Sequence, residues 1–163
     1  MSEQAEASAP DFQEPTLEQF EAALELVHRV TQRTPLETSR YLAEVLGVSK
    51  VYLKCENLQR TGAYKLRGAY NRLVQLSPAE RARGVVAASA GNHAQGVAYA
   101  ARELGIKSTI FMPLGVALPK LQATRNYGAE VVLEGASFDE TNAAAQAFVN
   151  ETGAVFIPPF DDP

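Results

Sequence analysis

The sequence has 163 residues, 46% hydrophobic and 21% charged, which is typical of a globular chain of one domain or slightly more. Its net charge of −4 argues against a nucleic-acid partner, and no apolar run approaches the roughly 20 residues that a membrane-spanning helix needs. One cysteine and two histidines give no spaced zinc-ligand set, and the acidic N-terminus does not resemble a secretory signal, so we expect a cytoplasmic protein without a metal site.

The first part of the chain predicts an arm followed by a helix. Residues 1–15 are small, acidic and proline-containing, which predicts a disordered arm. Thr16 then begins a helix, with Gln19 at the capping-box position three residues later. The apolar residues of this helix recur on one face, at Phe20, Leu24, Val27 and Val30.

A second helix and a strand come next. Ser39 caps the predicted helix over residues 40–46, and Gly47 ends it. Residues 51–57 alternate between apolar and polar side chains, which predicts a strand. Cys55 belongs to the apolar set of this pattern, so we expect a buried structural thiol there.

Residues 61–68, with the sequence Thr-Gly-Ala-Tyr-Lys-Leu-Arg-Gly, connect that strand to a predicted helix over residues 68–76. Lys65 therefore lies at a strand-to-helix junction, where backbone N–H groups and the positive end of a helix dipole point outward. A lysine in such a place is a candidate amine nucleophile. On this stretch alone, a solvated surface lysine is the commoner situation for the residue type.

Strands and helices alternate regularly from residue 85 to residue 157. The predicted strands are short apolar runs at 85–89, 108–112, 130–133 and 154–157. The predicted helices are 93–104, 119–127 and, after the Ser137 cap, 138–150, and the glycines that end them are Gly105, Gly128 and Gly153. The alternation predicts a three-layer αβα architecture with a parallel sheet, in which ligands bind beyond the C-terminal ends of the strands.

A second candidate site, Ser-Ala-Gly-Asn-His at residues 89–93, follows the first of these strands and opens a helix. Small residues let a ligand approach the backbone, and N–H groups at a helix start suit an anion such as a carboxylate. Asn92 and Ser89 add side-chain hydrogen-bonding groups, although both would also serve simply as caps. The helix is expected to lie close to its sheet through three small residues, Ala94, Gly96 and Ala98.

This loop does not match other ligand-binding fingerprints. It has no Gly-x-Gly-x-x-Gly dinucleotide pattern, no Gly-Lys-Ser/Thr phosphate loop and no Gly-x-Ser-x-Gly nucleophile turn. An amine nucleophile and an anion-accepting loop together indicate carbonyl or imine chemistry on a carboxylate-bearing substrate. A lysine that binds pyridoxal phosphate is the commonest such arrangement, but spacing alone leaves it one option among several.

From about residue 34 to residue 163, the chain resembles the threonine/serine dehydratases, and most closely the threonine ammonia-lyases, pyridoxal-phosphate enzymes of the tryptophan-synthase-β-like fold (fold type II). The matching segments are Arg-Thr-Pro-Leu at 33–36, Val-Tyr-Leu-Lys-Cys-Glu-Asn-Leu-Gln at 51–59, Thr-Gly-Ala-Tyr-Lys-Leu-Arg-Gly-Ala at 61–69, Val-Val-Ala-Ala-Ser-Ala-Gly-Asn-His-Ala-Gln-Gly at 85–96, Gly-Ala-Glu-Val at 128–131 and Pro-Phe-Asp-Asp-Pro at 159–163. The lysine motif and the Ser-Ala-Gly-Asn-His motif are highly specific as a pair.

The resemblance implies a role for each residue of the two motifs. Lys65 would form the Schiff base (aldimine) with pyridoxal 5′-phosphate and act as acid and base at the substrate Cα. Tyr64 would lie beside the cofactor ring, and Asn92 would hydrogen-bond its 3′-oxygen. The loop that holds the substrate carboxylate would consist of Ser89, Ala90, Gly91, Asn92 and His93. The implied reaction converts L-threonine to 2-oxobutanoate and ammonia, and also L-serine to pyruvate.

The chain departs from the family pattern in two respects. Many relatives have Ser-Phe before the lysine, where this chain has Ala63 and Tyr64, and this difference favours a dehydratase over a racemase. The family's catalytic domain is also much longer than this chain. We therefore expect an N-terminal part of the large domain at 16–83, a small αβα domain at 84–161 and the start of a return to the large domain at 162–163.

The resemblance leaves three interpretations open. The first is a threonine dehydratase of amino-acid metabolism, as in isoleucine biosynthesis. The second is a serine dehydratase or a serine racemase. The third is a noncatalytic truncated fragment, because the family's phosphate-cradling loop and the residue facing the pyridine nitrogen are not in the sequence. For the same reason we expect the isolated chain to bind the cofactor weakly. The full-length enzyme is expected to be a homo-oligomer without nucleic-acid or membrane partners.

Overall fold

The structure, a computed structural model of the chain, describes residues 14–160. Its α-helices are α1 Leu17–Val27, α2 Arg40–Leu46, α3 Lys65–Val74, α4 Pro78–Arg83, α5 Asn92–Leu104, α6 Leu118–Asn126 and α7 Phe138–Thr152. Its strands are β1 Leu36–Thr38, β2 Tyr52–Lys54, β3 Val85–Ala88, β4 Ser108–Met112, β5 Glu130–Leu133 and β6 Val155–Phe156. Most of the predicted arm at 1–15 and the predicted return at 162–163 lie outside the described residues.

The first helix begins as the capping box predicts but buries less than its apolar pattern suggests. The Thr16 backbone N–H donates to the Gln19 side chain at 2.8 Å, and the Thr16 hydroxyl accepts from the Gln19 N–H at 3.4 Å. Val27 is buried, whereas Phe20 and Leu24 are 62% and 45% exposed. The predicted face is therefore covered only at its C-terminal end, where α1 packs against α3.

The predicted strand at 51–57 is wrong in its second half. Only Tyr52–Lys54 is a strand, and Glu56–Leu58 forms a turn of 3₁₀ helix. This strand pairs antiparallel with Leu36–Thr38, which the sequence did not predict, so that Leu36 lies opposite Lys54. Cys55 falls in the bend between strand and turn and is half-buried rather than fully buried.

The parallel sheet predicted for the second half of the chain is confirmed. Its strand order is β5-β4-β3-β6, with every neighbouring pair parallel. The chain moves outward from β3 through β4 to β5, then returns to the other side of β3 as β6. Since parallel crossovers are right-handed, this reversal places α5 and α6 on one face and α7 on the other. The three-layer arrangement was predicted from the same alternation.

The two faces of the sheet carry separate apolar cores. One core contains residues of α3, α5, α6 and the sheet, with α5 between α3 and the sheet, and includes Leu66, Leu73, Val97, Ile110 and Met112. The other lies under α7, where the Phe111 and Phe148 rings are 5.6 Å apart. Burying a side chain of this size contributes about 2 kcal/mol. The first core continues across residue 84, and the division into domains there stays a prediction.

Helix α5 is covered on two sides. Its eight buried residues include Ala94 and Ala98, which belong to the core with α3 and the sheet. Gly96 packs against the start of α3, not against the sheet as predicted, because α5 lies between the two. Helix α3 itself begins at Lys65, three residues earlier than predicted. Within residues 14–160, no helix has both the length and the apolarity needed to cross a bilayer.

Candidate active site

The candidate site lies where the order of strands along the chain reverses, at the C-terminal ends of β3 and β6. Residues 89–91 follow β3, and residues 157–160 follow β6. Because β3 and β6 are neighbours, whereas the chain after β3 crosses to β4, the loops diverge and leave a crevice between them. The first turn of α3, which packs on α5, brings Lys65 to this crevice.

Lys65 is held by the loop after β6. Its Nζ donates a hydrogen bond of 2.7 Å to the Pro159 carbonyl oxygen, a contact between residues 94 positions apart. The same Nζ lies 4.8 Å from the centre of the Phe160 ring and 5.6 Å from that of Tyr64. These contacts place the amine at the crevice, within cation–π distance of two aromatic rings.

The opposite wall of the crevice is the predicted carboxylate loop. The Ser89 hydroxyl accepts a hydrogen bond of 3.2 Å from the Gly91 N–H. Helix α5 then begins at Asn92 without a side-chain cap, so its first N–H groups face this end of the sheet. Ala90 is half-buried and Asn92 is exposed. An uncapped helix start favours an anionic ligand group.

His93 ties the two loops together. It is buried, and its Nε2 lies 3.0 Å from the Ile157 carbonyl oxygen. A carbonyl oxygen only accepts, so Nε2 carries the proton in this contact. His93 thereby joins the start of α5 to the loop that also contacts Lys65. This position indicates that it supports the crevice.

The crevice contains an open cavity of about 340 Å³. Its lining consists of Lys65, Ser89, Ala90, Asn92, His93, Phe138, Pro159 and Phe160. Tyr64 lies on a neighbouring cavity of about 280 Å³, which Lys65 also lines together with Asn71 of α3 and Gln75 just after this helix. Gly91 lies in the loop, where an added Cβ would be 3.7 Å from the Lys120 Nζ.

Sequence reasoning missed the contacts from Phe138, Pro159 and Phe160. The prolines at 158–159 were recognisable as residues beyond a strand end, which is a general signal for a ligand edge. Nothing in the local pattern indicated that they reach Lys65. Phe138 carries no signal beyond its position after the Ser137 cap of α7.

A polar cluster anchors the first turn of α3 behind Lys65. Two guanidinium nitrogens of Arg67 donate to Glu56, at 2.9 Å to Oε2 and 2.8 Å to Oε1, and the Thr34 hydroxyl donates to Oε1 at 2.6 Å. Hydrogen bonding from Arg67 lowers the pKa of Glu56 from 4.5 to about 2, against the opposing effect of burial. Lys54 completes the cluster by donating to the Thr34 carbonyl oxygen at 2.6 Å.

The described residues show no metal centre, since no three His, Cys, Asp or Glu side chains within 14–160 are grouped to hold an ion. The crevice presents an amine, loop N–H groups and aromatic rings. These are the groups that suit a flat, electrophilic, anionic ligand.

Comparison with known proteins identifies the family. A family model described as "Pyridoxal-phosphate dependent enzyme" matches residues 27–163. The L-threonine ammonia-lyase of Thermotoga maritima is 55% identical over 148 residues, which cover 91% of this chain and 37% of that protein. The structure of the processed form of threonine deaminase isoform 2 from Solanum lycopersicum matches with a TM-score of 0.80 at 42% identity, covering 92% of this chain and 42% of that one.

A serine racemase is also similar in structure. The enzyme from Dictyostelium discoideum matches with a TM-score of 0.81 at 33% identity, covering 90% of this chain and 48% of that one. The chain thus spans less than half the length of each of these proteins. The resemblance to threonine ammonia-lyases and the fold type II prediction are confirmed. With a family model that matches nearly all of the described residues, the chain belongs to the pyridoxal-phosphate dependent enzymes.

Proposed function

We propose that this site takes part in the pyridoxal-phosphate dependent deamination of L-threonine to 2-oxobutanoate and ammonia, and of L-serine to pyruvate. One observation carries the proposal: the Lys65 amine and the anion-accepting loop at residues 89–93 share one cavity. The 55% identity to an L-threonine ammonia-lyase favours threonine as the substrate. Two alternatives are a serine dehydratase and a noncatalytic fragment. Comparing turnover of L-threonine and of L-serine distinguishes them from this proposal.

The residues of the crevice fit the cofactor. The cavity of about 340 Å³ falls in the range of small-molecule sites, and its wall presents the Lys65 amine beside the Phe160 ring. The Tyr64 ring, on the neighbouring cavity, lies 5.6 Å from the same nitrogen. Lys65 would attach the cofactor covalently through Nζ, Tyr64 would pack beside its ring, and Asn92 would hydrogen-bond its 3′-oxygen. Bound pyridoxal phosphate supplies electron withdrawal from the substrate Cα, which makes that carbon acidic.

The protein's own groups then bind the substrate and move its proton. The uncapped start of α5, with Ser89, Ala90, Gly91 and His93 around it, would hold the substrate carboxylate. The Lys65 Nζ would take the proton from Cα, since it is placed at the same cavity as this loop. The half-buried position of Lys65 limits the access of water to the amine.

Serine racemisation is the second candidate, because the racemase from Dictyostelium discoideum matches the fold as well as the deaminase does. Ala63, which lacks the hydroxyl that many relatives have at this position, favours elimination. Assays with L-serine separate the two: pyruvate and ammonia indicate elimination, and D-serine indicates racemisation. We further propose that the protein is cytoplasmic and homo-oligomeric, which fractionation and sedimentation would test.

Trapping of the cofactor on lysine tests the proposed site. The chain is incubated with pyridoxal 5′-phosphate, reduced with sodium borohydride and digested, and the labelled peptide is identified by mass spectrometry. We expect the label on Lys65 and its loss in Lys65→Ala. Lys120→Ala is the matched control, because Lys120 is the lysine whose Nζ lies near Gly91. Equal labelling of several lysines, or label that persists in Lys65→Ala, would refute the assignment.

A further inference from the structure

We propose that Gly96 is a positioning residue for Lys65, which sets the place of the Lys65 amine by allowing α5 to touch the backbone of α3. The inference rests on the proposed role of Lys65 and adds a residue from the second turn of α5. Both helices begin at the crevice, α3 with Lys65 and α5 with Asn92. Their contact at Gly96 therefore sets the distance between the backbone of Lys65 and the backbone of Asn92.

The contact is too close for a residue with a side chain unless the neighbouring backbone moves. A Cβ built on Gly96 would lie 3.1 Å from three backbone atoms, namely the carbonyl carbon and oxygen of Lys65 and the amide nitrogen of Leu66. Backbone atoms of a helix cannot rotate away as a flexible side chain does. An alanine here would thus push the start of α3 outward by a few tenths of an ångström.

Glycine is otherwise the wrong residue for this position. Gly96 lies in the interior of a 13-residue helix, where glycine costs about 1 kcal/mol relative to alanine. Gly96 is buried, so the glycine does not serve to let a ligand approach the helix from solvent. Gly68 of α3 is a useful contrast, because a Cβ there would meet no atom within 4 Å. The requirement for glycine at 96 is therefore the approach to Lys65 and not the helix itself.

A displacement of this size affects the site more than it affects folding. Lys65 Nζ contacts the Pro159 carbonyl at 2.7 Å, and a shift of its backbone stretches or redirects that bond. Reacting groups misplaced by about 1 Å lose on the order of a hundredfold in rate. For a few tenths of an ångström we expect Lys65 to be labelled about fivefold more slowly in Gly96→Ala.

The experiment compares the rate of borohydride-trapped pyridoxal phosphate labelling at Lys65 in three variants. Gly96→Ala tests the contact, and Gly68→Ala is the matched glycine-to-alanine control. Val97→Ala removes fully buried atoms beside Gly96 and controls for loss of stability. We expect both controls to label Lys65 within twofold of the parent chain. The variant Gly96→Ala should remain folded, because the helix gains propensity, and a chain that unfolds at 25 °C overturns the proposal.

A second measurement distinguishes a failure of this inference from a failure of the proposed function. Reductive methylation of Lys65 by formaldehyde, followed by mass spectrometry, reads the placement of the amine without the cofactor. We expect the Lys65 rate, relative to other lysines, to change at least threefold in Gly96→Ala alone. If the parent chain is not labelled by the cofactor, the proposed function fails while methylation still tests Gly96. An unchanged methylation rate, or an equal change in Val97→Ala, overturns the inference.

Discussion

Glu56→Gln is expected to destabilise the chain by removing the charge that holds the first turn of α3. The Glu56 carboxylate accepts both arms of the Arg67 fork and the Thr34 hydroxyl, and its side chain is 15% exposed. A glutamine keeps the shape but leaves Arg67 without its counter-charge. The NH₂ of the glutamine is a donor, and it would face Arg67 and the Thr34 hydroxyl, which also donate.

The size of the effect follows from the pKa of Glu56. A fall from 4.5 to about 2 corresponds to about 3 kcal/mol of stability. Water reaches the rim of the pair, since the Arg67 side chain is 26% exposed, and screening reduces the expected loss to about 2 kcal/mol. A lowered pKa means that this stability is fully present above about pH 4.5 and is lost as the pH falls through 2.

Thermal unfolding followed by circular dichroism measures the loss, because the sequence has no tryptophan for fluorescence. At pH 7 we expect the melting temperature of Glu56→Gln to fall by about 4–8 °C. The difference from the parent should shrink between pH 4.5 and pH 2. Glu130→Gln is the control, because its pair with Lys107 is exposed and contributes less than about 0.5 kcal/mol. Equal losses in the two variants, or a difference that grows at low pH, would refute the reasoning.

Two further substitutions test the connections of α7. Gly135→Ala should lower the free energy of unfolding by about 3 kcal/mol, because φ is +85° and the new Cβ would lie 2.6 Å from the Thr141 nitrogen. Gly105→Ala is the control and should cost only about 1 kcal/mol, since φ is +66° and the Cβ would enter open space. A Gly135 variant no less stable than this control would contradict the expectation. Ser137→Ala removes the cap on the Glu140 N–H and should lower the melting temperature by about 3 °C, whereas Ser137→Asp should retain it. Thermal unfolding measures both.

Local signals predicted the second half of the fold well. The strands at 108–112 and 130–133 match their predicted bounds, because both are short apolar runs that end at turn residues. Helix ends were equally recognisable, as at Gly105 and Gly153, where left-handed backbone closes the helix. Each of these features depends on a few neighbouring residues, so the sequence alone was enough to place them.

The first half was harder, because tertiary contacts override its local pattern. Alternation predicted a strand through residue 57, but Glu56 turns to reach Arg67 and Thr34, and a 3₁₀ turn replaces the strand end. The candidate site was likewise predicted only where a local motif was enough. The lysine and the loop at 89–93 were recognisable as motifs, whereas the contact with Pro159 depends on β6 returning beside β3. Strand order decides that contact, and no local pattern specifies it.

The return of β6 also determines when the site forms during synthesis. Lys65 leaves the ribosome long before its acceptor, which lies 94 residues further along the chain. Strand β6 pairs with β3 only after β4 and β5 have been made, and it forms a pair of just two residues, Val155–Phe156. Such a distant and short pairing closes late and slowly. The amine therefore has no bond to the Pro159 carbonyl until the segment that carries β6 has been made.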